Sequence, residues 1–329
     1  MCYTSVFLFS VAIAAAGGKP ASGPATKPAA RPPAHQEILK QLPKGLAHVV
    51  EPIRGGRIDW TTGELLASGQ AKAPADAARP EAMAGRGARL VAARNAMLML
   101  AGVRIGPDGR PANVKSGTLA VDAVLKNFRE VSCRYDRKTR SATVTLAVPL
   151  YGANGVVTVR GLIAARPRRA WNRVGAAGAG KADVLVIDAR RCGFTPAASL
   201  RIVTETGRTV FSLHDVKAAR RTMQPPAVYV YRKASGFNPD AASPYVKAVG
   251  RAKQIAEQAS SGDKALRKLL AGKFKHPLIL TASPPKKAIA GTVVVAPGAQ
   301  KLLMLHGEAR KLLADGRLIV VTDTRFDEK

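Results

Sequence analysis

Short β-branched runs separated by helical periodicity constrain this chain more than any other feature. Thr139–Leu150 (TRSATVTLAVPL), Val184–Asp188 (VLVID), Leu200–Thr204 (LRIVT), Gly291–Ala296 (GTVVVA) and Arg317–Asp323 (RLIVVTD) each read as a strand. Glu81–Ile105 reads instead as a helix, with Leu90, Ala93, Met97, Leu100 and Ala101 on one face. Ala299–Gly316 reads as another, with Leu302, Leu305, Ala309, Leu312 and Leu313 turned inward and Gly316 placed to end it. Neither kind of element buries its apolar face alone. The alternation therefore predicts an α/β (α+β) fold, with mixed sheets packed against helices.

The 329 residues suffice for two ordinary domains, and composition places the breaks. Residues 1–16 contain the apolar run Ser5–Ala16 (SVFLFSVAIAAA), too short to span a bilayer and ending in small residues that fit an A-x-A rule. It reads as a signal peptide, although Met1–Thr4 supplies no Lys or Arg. Residues 17–50 open on a Pro-, Ala-, Gly- and Lys-rich stretch whose prolines block regular structure, so a flexible tether is expected.

Residues 51–155 read as a first small domain. It has two strands turning near Thr62–Gly63, the long helix, a shorter helix over Thr118–Asn127, and two strands joined around Arg137–Lys138. Residues 156–181 turn basic and then Gly/Ala-rich, which marks a linker. Residues 182–329 read as the second domain, with an irregular, partly exposed loop over Met223–Pro244 and broken helix over Tyr245–Lys273. No transmembrane span is expected in the mature chain.

Charge narrows the partners. Lys and Arg number 52 against 22 Asp and Glu, a net charge of +30 that favours anionic surfaces. Arg166, Arg168, Arg169 and Arg173 crowd around Trp171, whose ring suits an interface, so this segment is the expected contact with anionic lipid or peptidoglycan. Nucleic acid is the competing anion. Aromatic residues make up only 5% of the chain, no zinc-finger or RNP-like pattern occurs, and export argues against such a partner.

The stretch Gly175–Asp188 imitates a nucleotide site, with Gly175, Gly180 and Lys181 at G-x-x-x-x-G-K spacing. That motif works only when a helix follows the loop and a Ser or Thr hydroxyl follows the Lys. Here Ala182 takes the hydroxyl position and the β-branched run VLVID follows, so ATP binding is not expected. Asp188, at the end of that strand and close to Arg190, is expected to structure its own loop. The five histidines form no HxH or HExxH pattern, no G-x-S-x-G elbow occurs, and Cys133 and Cys192 have no ligand spacing. No catalytic residue, cofactor or metal site is therefore expected.

Two blocks carry a family resemblance. Trp60, Gly63, Ala67 and Gly69, the Ala/Arg-rich helix, and the strand ending in Pro149-Leu150-Tyr151-Gly152 resemble the N-terminal domain of flagellar assembly protein T (FlgT-like proteins) and related small outer-membrane lipoproteins. The second block, Val184–Phe211, is similar to a segment that accompanies this domain, with I-D-A-R, G-F-x-P-A and an E-x-G-R turn. The likeness spans roughly Arg57 to Phe211, more loosely to Asp323. Two departures stand out: no lipid-acceptor Cys is present, and Cys192 takes the place of an expected aliphatic residue.

The resemblance implies a periplasmic, outer-membrane-associated scaffold without catalysis, with envelope or flagellar basal-body proteins as partners. The alternatives are a basic nucleic-acid-binding protein and an unrecognised hydrolase.

Overall fold

The computed structural model describes residues 34–107, 128–152, 155, 182–216, 224–233, 265–285, 288–295, 303 and 307–326. Thirteen strands lie in two sheets among these residues. The smaller sheet holds β2 (Val50–Ile53), β3 (Gly56–Asp59), β4 (Glu64–Lys72), β5 (Arg129–Asp136) and β6 (Ser141–Pro149). It is antiparallel throughout, in the order β2-β3-β4-β6-β5. Its alternating residues Ala142, Val144 and Leu146 face α2 (Pro80–Gly102), a helix that opens with Pro at its first position.

The face that α2 buries overlaps only in part with the one its periodicity predicts: Ala93 and Leu100 are buried as expected, and Leu90 is not. Ala84, Ala88, Ala92, Ala96 and Met99 are buried, whereas Leu90 is 72% and Leu98 61% exposed. Gly69 of β4 explains the choice: a Cβ there would lie 2.2 Å from the Ala92 nitrogen and 2.4 Å from the Ala88 carbonyl oxygen. At Gly69 the helix backbone approaches the sheet so closely that only the methyl side chains of Ala88 and Ala92 fit there, and Leu90 and Leu98 are turned away, while Leu100 is buried farther along the helix.

The larger sheet runs in the order β1-β10-β13-β7-β11-β12-β8-β9. Its strands are β1 (Ala47–His48), β7 (Val184–Asp188), β8 (Arg201–Thr204), β9 (Thr209–Ser212), β10 (Val228–Tyr231), β11 (Pro277–Ser283), β12 (Thr292–Val295) and β13 (Leu318–Thr322). The central four, β10, β13, β7 and β11, are mutually parallel. Strands of this kind are covered on both faces, which is why they read as unbroken apolar runs. Leu185, Ile187, Leu318, Val320 and Tyr229 enter one apolar cluster, while Val184, Val186, Ile319, Val321, Val228 and Val230 enter another.

The second cluster is closed by α1 (Ala34–Gln41) and α3 (265–271), through Ile38, Leu266 and Leu270. The helix α4 (Gly307–Ala314) buries Ala309, Leu312 and Leu313. It ends where Gly316 takes φ +67°: the Arg317 N–H donates to the Leu312 carbonyl and the Gly316 N–H to the Leu313 carbonyl, a Schellman motif.

Three expectations change. Ala34–His48 belongs to the folded unit as α1 and β1, not to the tether. Met223–Pro244 is not all loop, because Val228–Tyr231 forms β10 between β1 and β13 with Val228, Tyr229 and Val230 fully buried. Pro33–Lys329 forms one compact unit in which a single cluster takes Ile58, Trp60 and Leu65 from one sheet and Leu185, Tyr229 and Val293 from the other. The two sheets share a core, so they are not the two separate domains expected. The Thr118–Asn127 helix, Leu302, Leu305 and the 156–181 linker lie outside the described residues, as do residues 17–33.

Candidate functional site

Open parallel sheets receive ligands beyond the carboxyl ends of their strands. At that edge here, β7 ends in Asp188, β13 is followed by Asp323 and β10 by Arg232. Parallel register brings the three together: Asp188 pairs with Val321, and the Arg232 N–H donates to the Thr322 carbonyl at 2.9 Å.

The edge is filled by the protein itself. Asp188 and Arg190 are both buried. The Arg190 Nε donates to Asp188 Oδ1 at 2.7 Å, its Nη2 to Oδ2 at 2.5 Å, and its backbone N–H to Oδ1 at 3.2 Å. Arg191 sits at φ +68° and donates its N–H to Asp323 Oδ2 at 2.8 Å. Thr322 and Thr324 both donate hydroxyls to the Phe194 carbonyl, which pins the far side of the same loop. Burial pushes the Asp323 carboxyl above the usual carboxylate value, and the Arg191 N–H draws it part of the way back. Arg232 is lowered by desolvation and by Arg190, and its Nη1 is buried without a partner.

This arrangement orients a loop. The Asp188 carboxylate is bound along both oxygens, which leaves it poorly placed to take a proton from a substrate. Burial lifts the Cys192 thiol to about 12, with Asp188 and Asp323 adding to the effect, so it stays protonated near neutrality and is a poor nucleophile. Cys133 and Cys192 are both free thiols.

The Trp60 of the family-like block is 1% exposed. Its Nε1 donates to Glu51 Oε2 at 2.8 Å, and Arg104 forks onto the same carboxylate. The Arg104 guanidinium lies 5.5 Å from the Trp60 ring centre and 5.2 Å from that of Phe326. These residues join the start, middle and end of the chain by packing.

Asp59 anchors the turn after β3: Oδ1 accepts from the Thr61 and Thr62 N–H groups, and Oδ2 pairs with His48 Nδ1 at 2.8 Å. His35 of α1 is buried nearby; neither ring nitrogen makes a well-aligned hydrogen bond, and the Thr61 and Thr62 backbone and the Asp59 carboxylate are its polar neighbours.

Of the residues singled out from sequence, Asp188 and Arg190 meet directly. Arg166, Arg168, Arg169, Trp171 and Arg173 lie outside the described residues, as do Gly175, Gly180 and Lys181. Val184–Asp188 is the buried strand β7. Sequence reasoning missed Asp323 and Arg232 at the same edge; Arg190 and Arg191, just after Asp188, were the local signal. Among the described residues, no group of three or more His, Cys, Asp and Glu is placed to hold a metal ion, and no helix is long and apolar enough to cross a membrane. No family model matches the chain, and no curated protein does either.

Proposed function

We propose that this chain is an exported, non-catalytic envelope protein that acts in assembly or scaffolding, in the periplasm and against the outer membrane. Flagellar basal-body assembly is the setting its sequence resemblance implies. The observation that supports this most is the filled carboxyl edge. Where a parallel sheet ordinarily receives a substrate, the Asp188–Arg190 pair and the loop behind it already occupy the position. What the molecule offers instead is surface, and at +30 that surface selects anions. Arg166, Arg168, Arg169 and Arg173, with Trp171, are the proposed contact with lipid phosphates or peptidoglycan carboxylates.

Cell fractionation with mass-spectrometric mapping of the mature N-terminus tests export: a cytoplasmic chain retaining Met1 overturns it. Co-sedimentation with peptidoglycan and with anionic vesicles tests the contact. Binding should be strong at low salt, fade near roughly half-molar salt as screening shortens, and largely vanish when the four arginines become Gln. Equal binding by that quadruple variant removes the contact.

A further inference from the structure

Between the first turns of α2 and the β5–β6 hairpin runs a cleft of about 830 Å³. Arg79, the residue just before α2, and Arg89 on the helix line one side, and Arg137 and Arg140 of the hairpin the other, together with Cys133 and Tyr135 of β5. Glu81 is the one carboxylate among the lining residues. Two of the four guanidinium groups are committed. Arg89 donates to Glu130 at 2.6 Å through Nε and 3.4 Å through Nη2. Arg140 donates to the Pro74 and Ala75 carbonyls at 2.9 Å each, from a backbone held at φ +53°, and its Nε is buried without a partner. The Arg79 and Arg137 side chains have no acceptor among the described residues.

Like charges gathered around a recess repel one another unless an anion lies between them. A guanidinium fork matches a pair of phosphate oxygens, and the three terminal oxygens of a phosphate monoester offer two forks more acceptors and more negative charge than the two oxygens of a carboxylate. The volume also falls within the usual range of small-ligand sites. We propose that this cleft binds a phosphate-bearing ligand, with Arg79 and Arg137 gripping the phosphate and Arg89 and Arg140 supplying fixed positive charge behind them. The proposal deepens the envelope reading by adding a shaped contact, and rests on it only for which phosphates the protein meets.

The test uses the full-length protein with inorganic phosphate and glycerol 1-phosphate as probes. Binding is read by calorimetry at low salt and by the alkylation rate of Cys133 with N-ethylmaleimide. Saturating probe should slow Cys133 alkylation at least fivefold. R79Q/R137Q should weaken affinity about tenfold or more and abolish that protection, and R79K/R137K should recover only part of it. R86Q/R94Q removes the same charge elsewhere on α2 and should bind as the parent does. Absence of binding by the parent, or equal loss in both Gln pairs, overturns the proposal.

Vesicles of phosphatidylglycerol separate the sources. Displacement from them by glycerol 1-phosphate marks a lipid headgroup, whereas soluble-ester binding without vesicle attachment marks a free phosphate; either supports the cleft. Phosphate binding in a chain found to be cytoplasmic would remove the export reading and leave the cleft standing. Loss of phosphate binding only in the Arg166–Arg173 quadruple variant would overturn the cleft.

Discussion

Lowering the pH should loosen this fold through one side chain, His35. The imidazole is 4% exposed and lies beside Asp59, Thr61 and Thr62 at the turn after β3. Desolvation lowers its pKa from 6.5 to about 4; the Thr62 backbone and the Asp59 carboxylate pull the other way and recover only part. In the unfolded chain the same group protonates near 6.5, so between 6.5 and about 4 the unfolded state binds the extra proton. Stability from this group is therefore complete above pH 6.5, falls as the pH drops, and is lost below about 4. An interval of about 2.5 in pH at roughly 1.4 kcal/mol per unit gives about 3 kcal/mol, a large share of a typical folding free energy.

Guanidinium denaturation followed at pH 7, 6, 5 and 4.5 measures the loss. His35→Leu separates it from the carboxylate pairs, which titrate in both proteins. The variant should lose much less stability than the parent between pH 6.5 and 4.5. Parallel pH profiles for the two proteins would show that His35 is not the cause.

Three further outcomes are expected. Gly69→Ala forces a methyl group into the 2.2 Å gap at Ala92, so α2 must lift; overpacking of this kind costs about 1–3 kcal/mol and should lower the midpoint of thermal unfolding, and an unchanged midpoint would contradict the close helix–sheet approach. Asp188→Ala takes from the buried Arg190 guanidinium the carboxylate that accepts from its Nε and Nη2, which should destabilise by about 3–5 kcal/mol; unchanged melting combined with lost partner binding would make Asp188 a binding residue instead. Maleimide labelling near neutral pH, mapped by mass spectrometry, should modify the exposed Cys133 well before Cys192, whose thiol burial lifts to about 12; equal rates would refute that burial.

The sequence disclosed the parts of the fold that are simple in one dimension. The strands β6, β7, β8, β12 and β13 were legible because central or paired strands need continuous β-branched stretches. The Gly316 stop was legible because a left-handed helix end favours glycine. The strand β10 was hidden. Val228–Tyr231 is short, follows Pro225 and Pro226, and owes its strand state to neighbours that lie far along the chain.

Ala34–His48 was hidden by composition, since prolines dominate the residues just before it. The inward face of α2 was legible at Ala93 and Leu100 and missed at Ala84, Ala88, Ala92 and Ala96, because periodicity weighs hydrophobicity, whereas the closeness allowed by Gly69 selects for small size. At the carboxyl edge, Asp188 and Arg190 are two residues apart and could be paired on paper. Asp323 joins them only through the register of β7 with β13, and no local pattern records a register. The arginine cleft shows the same limit, since Arg79 and Arg137 come to line one recess only once α2 has docked on its sheet.

The path of the chain past Val49 has a consequence for the order of folding. His48 ends β1 in the larger sheet and Val50 begins β2 in the smaller one, so a single residue separates elements with different partners. The strand β2 finds its neighbour within a few residues. The strand β1 must wait for Tyr231, and Glu37 of α1 for Arg317, 280 residues away. During synthesis His48 can meet Asp59 early, but the pairing of β1 and the Glu37–Arg317 ion pair form only after Tyr231 and Arg317 have been made. Those two contacts close at the entropic cost of a very long loop. Until then the apolar groove that will hold Ile38 stays open, and a chaperone that grips residues 34–48 would keep the larger sheet incomplete while the smaller one matures.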